Sequence, residues 1–253
     1  MATTHPADLY EGYAEVKGWT GQDSAVEFPF FDHLAKLAGM KPGRLLEVGF
    51  GEGFLLDWAK ARGYDASGND ILPSMVEAAR LRGLDVRMGT LKAGHFAERS
   101  FDWILALDVL EHLTTEQIIE HLTLFRALLR PGGKVIARFP NGASPFFGVH
   151  QYGDLTHLTP LSPESLDQLA ARAGMTVSQE LRLRPYPAGL GAKTKRWLSY
   201  RARDLIEVLA ATAYYGRRLT LDVDTTVMLE PAYRPRPKTL DGSWFFPETQ
   251  PIG

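Results

Sequence analysis

The feature that most constrains this chain is a regular alternation of short apolar segments and helix-like segments between Arg44 and Phe139. Glycine and proline turns separate the segments, as at Gly63, Gly83 and Pro131. Strands that alternate with helices and are joined by short turns imply right-handed crossovers and a parallel sheet. The alternation therefore predicts an α/β fold.

Two further strands follow this region, separated by a long insertion. The predicted strands cover residues 44–48, 65–69, 85–88, 103–107, 134–139, 175–183 and 226–233. The predicted helices cover residues 28–37, 54–62, 74–82, 115–130 and 164–172. We expect a Rossmann-like, doubly wound, mostly parallel seven-stranded sheet with helices on both faces. It carries an N-terminal helical cap and a helical insertion before the last strand.

The chain has 253 residues and shows no internal repeat, so we expect a single domain over residues 1–253. Within it, residues 1–42 form the N-terminal cap. Residues 43–183 and 226–235 form the core, and residues 184–225 form a basic helical insertion.

Composition excludes several classes of function. The chain has no cysteine, which rules out disulfides, thiolate zinc sites and cysteine nucleophiles. Its 28 Lys and Arg residues nearly balance 30 Asp and Glu residues, which argues against a nucleic-acid binder that works through bulk charge. No targeting or membrane-spanning pattern is visible, so the expected compartment is the cytoplasm.

A glycine-rich loop follows the first predicted core strand. Gly49, Gly51 and Gly53 lie between a strand and a helix, where glycines let the backbone pass close to a bound nucleoside. Asp70 ends the second strand, at the spacing of an acid that accepts hydrogen bonds from ribose hydroxyls. The alternative is a tight turn with Asp70 as a helix N-cap. The Gly-x-Gly-x-Gly spacing after Glu47 differs from the Gly-x-Gly-x-x-Gly of dinucleotide folds.

Four motifs in residues 44–140 resemble the class I S-adenosylmethionine-dependent methyltransferases. They are Leu45-Leu46-Glu47-Val48-Gly49-Phe50-Gly51-Glu52-Gly53, Gly68-Asn69-Asp70-Ile71-Leu72-Pro73-Ser74-Met75, Phe101-Asp102-Trp103-Ile104-Leu105-Ala106-Leu107-Asp108-Val109-Leu110-Glu111-His112 and Leu129-Arg130-Pro131-Gly132-Gly133-Lys134. The resemblance implies S-adenosylmethionine as the cofactor.

The resemblance also implies roles for individual residues. Glu47 and the three glycines would hold the methionine end of the cofactor, Asp70 the ribose, and Asp108 would line the sulfonium pocket. The family often has an acid after the third strand for the adenine amino group. In this chain the position after the third strand reads Gly89-Thr90-Leu91 and has no acid, so Thr90 or the backbone is expected to bind the adenine amino group. The other expected cofactor-binding residues are Ile71, Leu91 and His112.

The loop from His150 to His157 contains the best candidate for a general base. Methyl transfer to a hydroxyl requires alignment and removal of a proton, and imidazole is largely neutral at pH 7. We expect His157 to be the base, oriented by Asp154, with the alternative that both residues only cap local backbone. His150 and Tyr152 are expected to bind substrate. In the N-terminal cap, Tyr13 is also expected to bind substrate. Tyr10 and Tyr13 are expected to close over the cofactor.

The same loop gives a finer resemblance. Pro140-Asn141-Gly142 and Gln151-Tyr152-Gly153-Asp154-Leu155-Thr156-His157 resemble O-methyltransferases related to ubiquinone biosynthesis, and more closely bacterial methyltransferases of polysaccharide or glycoconjugate synthesis. This implies a sugar or glycan-like hydroxyl as acceptor, phosphate-bearing or lipid-linked. The alternatives are a small phenol or amine, a non-catalytic nucleoside-binding protein of the same fold, and a nicotinamide-dependent dehydrogenase.

A metal site is an alternative use of the segment after the fourth strand. Asp108, Glu111 and His112 offer two carboxylates and an imidazole, a ligand set that suits Mg²⁺. Helix capping by Glu111 and His112 explains the same residues without a metal. The sequence reading favours no metal.

The insertion is strongly basic. Residues 182–218 contain nine Lys and Arg residues against Asp204 and Glu207, a net of +7 in a chain of net −2. We expect an apolar face beneath the charges, formed by Trp197, Leu198, Leu205, Ile206, Val208 and Leu209. The charges then offer a surface for sugar-nucleotide phosphates, lipid-linked phosphosugars or a membrane, or they are only solvated arginines on a packed helix. The sequence does not indicate the oligomeric state.

Overall fold

A seven-stranded sheet runs through the computed structural model, which describes residues 27–183, 190–215 and 222–232. Its strands are β1 (Arg44–Val48), β2 (Asp65–Asp70), β3 (Asp85–Met88), β4 (Phe101–Leu107), β5 (Leu129–Pro140), β6 (Met175–Leu181) and β7 (Asp224–Pro231). The spatial order is β3-β2-β1-β4-β5-β7-β6. Strands β1 to β5 pair in parallel, and β7 is antiparallel to both β5 and β6. The predicted α/β fold is confirmed.

The helices between the strands agree in number and type with the prediction over most of the chain. They are α1 (Phe28–Ala38), α2 (Phe54–Ala61), α3 (Pro73–Leu81), α4 (Thr115–Leu128), the short α5 (Gly148–Gln151), α6 (Pro163–Arg172) and α7 (Leu190–Ala210). A 3-10 turn, Leu110–His112, lies between β4 and α4, and a π-helical turn, Ala211–Tyr215, follows α7. No helix among the described residues is both long and apolar enough to span a bilayer.

The strand order creates a crevice at the carboxyl ends of β1 and β4. From β1 the chain proceeds through β2 to β3 at one edge, and then returns to place β4 on the other side of β1. The connections that leave β1 and β4 therefore diverge in opposite directions. Ligands of open parallel sheets bind at such switch points.

Side chains alternate between the two faces of the sheet and form a separate core on each. Leu46 and Val48 of β1 pack with α4 and α6, whereas Leu45 packs with α1 and α2 around the buried Trp58. This alternation is the two-residue period of a strand that is covered on both faces. Burial on both faces explains why the central strands are apolar runs rather than alternating patterns.

Several strand boundaries differ from the prediction, including the starts of β4, β5 and β7 and the ends of β6 and β7. β5 begins at Leu129 and includes the Pro-Gly-Gly sequence that we expected to precede it, because Leu129 pairs with Phe101 before a register shift. β7 begins at Asp224, two residues before the expected start, because Asp224 still pairs with Pro140. The last strand therefore reaches into the predicted insertion.

The orientation of α7 was predicted wrongly. Its large apolar side chains, expected to face the core, are 53–60% exposed (Trp197, Leu198, Leu205, Ile206, Val208 and Leu209). The polar side of the helix packs inward instead, because Arg182 pairs with Glu207, and Arg203 pairs with Asp222.

The core predicts a large cost for truncating Phe125, a fully buried residue of α4. Phe125→Ala should lower the free energy of unfolding by about 3–5 kcal/mol, because it removes apolar contacts and leaves a cavity. Urea denaturation followed by circular dichroism measures the change. Leu81→Ala is the matched control, since Leu81 is 85% exposed at the end of α3 and should change stability by about 0.5 kcal/mol or less. Equal effects of the two variants would contradict the packing described here.

Candidate active site

A cleft of about 1330 Å³ opens at the carboxyl ends of β1 and β4. It contains most of the residues that the sequence predicts for the site. The predicted residues that line it are Glu47, Gly49, Gly51, Asp70, Ile71, Thr90, Leu91, Asp108, His112, His150, Asp154 and His157. Cofactor-side and acceptor-side predictions therefore meet in one cavity.

The glycine loop after β1 has a backbone that side chains would disturb. Gly49, Gly51 and Gly53 have φ values of +68°, +52° and +75°, in the left-handed region that favours glycine. A Cβ on Gly49 would lie 2.6 Å from Cγ2 of Val109. At Gly49 and Gly51, which line the cleft, the loop thus presents backbone rather than a side chain, as expected for close approach to a ligand.

Asp70 fixes this loop to the next helix. Its Oδ2 accepts a hydrogen bond from the N–H of Gly51 at 2.8 Å, and its Oδ1 accepts one from the N–H of Leu72 at 2.8 Å. Burial raises the pKa of Asp70. The two hydrogen bonds favour the charged form and partly oppose this rise. Each carboxylate oxygen has a second lone pair, so the expected binding of ribose hydroxyls and the observed capping are compatible.

Glu47 lies under the glycine loop and is almost completely buried. Its pKa is raised well above the usual range, first by burial and then by the negative charge of Asp70. Oε2 of Glu47 has no hydrogen-bond partner among the described residues. A buried acid with an unused acceptor beside a second acid favours a cationic, hydrogen-bond-donating ligand. The α-ammonium of the methionine end of S-adenosylmethionine has these properties, so the residues fit the expected cofactor.

The segment expected at the adenine end lies at the cleft wall. Leu91 is buried and Ile71 is 45% exposed, which gives an apolar surface for a purine ring. The side-chain amide of Asn69 donates to the carbonyl of Gly89 and holds the segment before Thr90 against β2.

On the other side of the cleft, the loop before α6 brings His157 beside the 3-10 turn. His157 and Asp154 have side chains only 7% and 12% exposed, with Nε2 of His157 3.8 Å from Oδ2 of Asp154. The rings of His157 and His112 meet edge to face with centroids 4.6 Å apart. The backbone N–H groups of Leu158 and Thr159 both donate to the carbonyl of Glu111 and hold the loop in place.

The hydrogen bonds around Thr156 indicate which ring nitrogen of His112 carries the proton. The hydroxyl of Thr156 donates its single proton to Oδ1 of Asp154 at 2.5 Å. Nδ1 of His112 lies 2.9 Å from the same hydroxyl oxygen and 3.2 Å from the carbonyl of Thr156. Because both of these oxygens act as acceptors toward the ring, Nδ1 of His112 carries the proton. His112 is thus a positioning element for this loop as well as part of the cleft wall.

Glu111 is the most deeply buried acid of the acceptor side. Burial and the carboxylate of Asp108 raise its pKa well above the usual range, and Arg138 opposes this. Candidate ligand atoms of Glu111, His112 and His157 lie within 4.8 Å of one another. The Asp108 carboxylate of the predicted metal motif is instead held by both Nε and Nη2 of Arg138. The ligand set for a metal therefore differs from the expected one.

For two side-chain pairs at the cleft, one member, Asp108 or His150, was identified from the sequence, but its partner was not. Arg138 of β5 pairs with Asp108, and its guanidinium lies 5.3 Å from the ring centroid of Phe30. Nδ1 of His150 lies 2.7 Å from Oδ1 of Asp224 on β7. Arg138 interrupts an apolar strand, which was an available signal. No local signal pairs His150 with Asp224, because 74 residues separate them.

Two predicted residues among the described ones, Gly53 and Tyr152, do not line the cleft. Gly53 forms the N-cap of α2, and a Cβ there would lie 2.7 Å from Nη2 of Arg82. Tyr152 is 72% exposed and contacts Phe147. Tyr13 and Tyr10 lie outside the described residues. The roles of these residues stay predictions.

Comparisons with curated proteins find ubiquinone biosynthesis O-methyltransferases. The protein from Xylella fastidiosa (strain M23) is 26% identical over 180 residues, which cover 62% of this chain and 70% of the relative. The protein from Cereibacter sphaeroides (strain ATCC 17029 / ATH 2.4.9) is 33% identical over 99 residues, 37% of this chain and 39% of the relative.

Solved structures with the same fold include a SAM-dependent methyltransferase from Archaeoglobus fulgidus, with a TM-score of 0.59 at 18% identity over 86% of this chain and 98% of that chain. The CcbJ methyltransferase from Streptomyces caelestis gives a TM-score of 0.55 at 15% identity over 81% of this chain and 89% of that chain. These likenesses support the fold.

One family model, described as a methyltransferase domain, matches residues 26–180, which is more than half of the chain and includes β1 to β5 with the glycine loop. The cleft and its buried acids agree with that match. The chain therefore belongs to the methyltransferase-domain family of class I methyltransferases and uses S-adenosylmethionine as its cofactor.

Proposed function

We propose that the protein is an O-methyltransferase in which His157 removes the proton of the acceptor hydroxyl. The observation that carries this proposal is the position of His157, whose shielded imidazole lines the same cleft as the glycine loop and Asp70. An imidazole is suited to general base catalysis near neutral pH. The curated relatives are named O-methyltransferases, which supports oxygen as the methylated atom.

The chain's own residues have three tasks in this reaction. Bound S-adenosylmethionine supplies an electrophilic methyl group on a sulfonium sulfur. Glu47 and Asp70 hold the two polar ends of the site, and the glycine loop keeps bulky side chains away from the ligand. His157 takes the hydroxyl proton, and the carboxylate of Asp154, 3.8 Å away, stabilises the imidazolium that forms.

The acceptor is a sugar or glycan-like hydroxyl compound in this proposal. The acceptor side of the cleft presents Arg138, His150 and Asp224 together with Asp108. Such charged and hydrogen-bonding groups complement a ligand with several hydroxyl groups, and arginine also complements a phosphate. The finer sequence resemblance to enzymes of polysaccharide or glycoconjugate synthesis agrees with this acceptor class.

A small phenol is the second candidate acceptor. The relatives named for ubiquinone biosynthesis favour it, and exposed apolar residues beside the cleft, such as Val149 and Leu158, offer contact for a ring or an alkyl chain. A panel of monosaccharides, sugar nucleotides, catechols and amines, assayed for S-adenosylhomocysteine release, separates the candidates. Turnover of a glycosyl hydroxyl supports the first, and turnover of catechols alone overturns it.

The base assignment predicts that His157→Ala lowers kcat by about 10²–10⁴ and leaves the affinity for S-adenosylhomocysteine nearly unchanged, because only proton removal is lost. Steady-state kinetics and calorimetric titration measure the two effects. His95→Ala is the control, since His95 does not line the cleft.

Chelation distinguishes a base from a metal ligand at the same residue. Treatment with EDTA should leave activity of the parent enzyme unchanged under the base assignment. Full activity of His157→Ala, or loss of activity on chelation with recovery on adding Mg²⁺, would contradict that assignment.

Glu47 gives a second prediction, in which stability and cofactor binding move in opposite directions. Folding raises the pKa of Glu47, so the fold is favoured while this carboxyl is protonated, and that contribution is lost as pH rises through the folded pKa. Glu47→Gln is neutral at every pH. Without cofactor, the variant should therefore melt above the parent at pH 8, by about 2–4 °C for each kcal/mol relieved, and the difference should shrink toward pH 5.

The same variant should bind S-adenosylhomocysteine about tenfold or more weakly, since a charge-assisted bond to the ammonium is lost. Differential scanning fluorimetry with and without the ligand measures both effects. Glu77→Gln on the exposed side of α3 is the matched control and should change neither. Unaltered ligand affinity of Glu47→Gln would refute the role of Glu47.

A further inference from the structure

Helix α7 carries its apolar side chains outward and its polar side chains inward. Leu198, Leu205 and Leu209 are spaced seven and four residues apart, so they lie on one side of the helix, and they are 56%, 60% and 59% exposed. Trp197, Ile206 and Val208 extend this surface with similar exposure. We refer to these six residues as the α7 stripe.

The opposite side of α7 faces the body of the protein. Glu207 and Ala211 are buried there, at 5% and 8% exposure. Nη2 of Arg182, just after β6, lies 3.3 Å from Oε2 of Glu207, and Nη2 of Arg203 lies 2.5 Å from Oδ1 of Asp222, just before β7. These ion pairs fix the rotation of the helix about its axis, so the outward direction of the stripe is a property of the fold.

The charges of α7 are sorted in the same way. The two acids of the helix, Asp204 and Glu207, both form ion pairs with Arg182, which lies outside the helix. The distance from Arg182 to Asp204 is 4.0 Å. Lys195 and Arg201 are exposed, and Arg201 lies over the ring of Trp197 at 5.7 Å. The helix therefore presents outward an apolar stripe accompanied by cations, while its acids are neutralised on the inner side.

We propose that the α7 stripe docks on a membrane surface that carries anionic lipids. An apolar face with flanking cations and an exposed tryptophan matches the acyl boundary and the negative headgroups of such a surface. Six large apolar side chains in one exposed row are more than a scatter of single surface residues. Asp222, which pairs with Arg203 on the inner side of α7, lies two residues before Asp224, which lines the cleft.

Charge complementarity favours a lipid surface over a second copy of the chain. Two copies that met through their stripes would bring Lys195 and Arg201 of each chain toward those of the other. Like charges at such an interface oppose association, whereas anionic headgroups attract them. This inference does not depend on the identity of the acceptor.

Co-sedimentation of the full chain with vesicles tests the proposal. The protein should sediment with vesicles of equal parts phosphatidylglycerol and phosphatidylcholine, and much less with phosphatidylcholine alone or in 1 M salt. Replacing two residues of the stripe, Leu198→Ser with Leu205→Ser, should weaken partitioning roughly tenfold. The charge reversal Lys195→Glu with Arg201→Glu should weaken it as well. Leu81→Ser, on the exposed end of α3, should have no effect.

The variants must also keep the fold. Because the stripe is exposed, Leu198→Ser with Leu205→Ser should leave the melting temperature and the affinity for S-adenosylhomocysteine unchanged. Three results would overturn the proposal: no binding to anionic vesicles, equal binding to neutral vesicles, or equal binding by the stripe variant.

A fall of many degrees in the melting temperature of the stripe variant would show that the stripe is covered by the chain itself. A dimer in sedimentation velocity that the stripe variant dissociates would assign the surface to a second copy. Either outcome also overturns it.

Discussion

The carboxylate of Asp70 joins the two loops on which the cofactor side of this protein depends. One oxygen accepts from the glycine loop after β1 and the other from the first turn leading into α3. The remaining lone pairs stay available to a ligand, so the group that holds these two loops together is also the group that we propose to bind the ribose. The bonds to Gly51 and Leu72 keep the carboxylate oriented before any ligand arrives.

Electrostatics then account for the choice of ligand. Glu47 and Asp70 are both buried, and the negative charge of Asp70 adds to the cost of ionising Glu47. A cation with N–H donors relieves that cost, and a pyrophosphate would increase it. The same pair of acids therefore favours a sulfonium amino acid joined to a nucleoside and disfavours a dinucleotide. We therefore expect the two buried acids to lower stability when no ligand is bound, as is common at functional sites.

The acceptor side is tied to the same sheet through the 3-10 turn after β4. The carbonyl of Glu111 accepts hydrogen bonds from two backbone N–H groups of the loop that carries His157. In addition, His112 donates to Thr156, and the hydroxyl of Thr156 donates to Asp154. The position of the proposed base is thus determined by residues at the end of β4, a strand that also forms the cleft wall. Changes at His112 or Thr156 would act by displacing this loop.

Local patterns in the sequence were sufficient to predict the α/β fold and to bring most of the expected cofactor-side residues to one cleft. The glycine loop, Glu47 and Asp70 are adjacent to strand ends, and parallel strands bring their carboxyl ends to one edge. The acceptor side depends on long-range contacts, as between His150 and Asp224, which no local pattern encodes. The rotation of α7 about its own axis could not be predicted from the sequence pattern either. Its apolar spacing indicates a face correctly, but ion pairs from Arg182 and Asp222 decide which face is inside.

A crystal structure of the protein with S-adenosylhomocysteine tests the central claim most directly. The account predicts that the ligand's amino group lies within hydrogen-bonding distance of the Glu47 carboxylate and that its ribose hydroxyls lie on Asp70. It also predicts that the sulfur faces the side of the cleft that His157 lines. A ligand bound with its amino group away from Glu47, or with its sulfur turned from His157, would contradict the account.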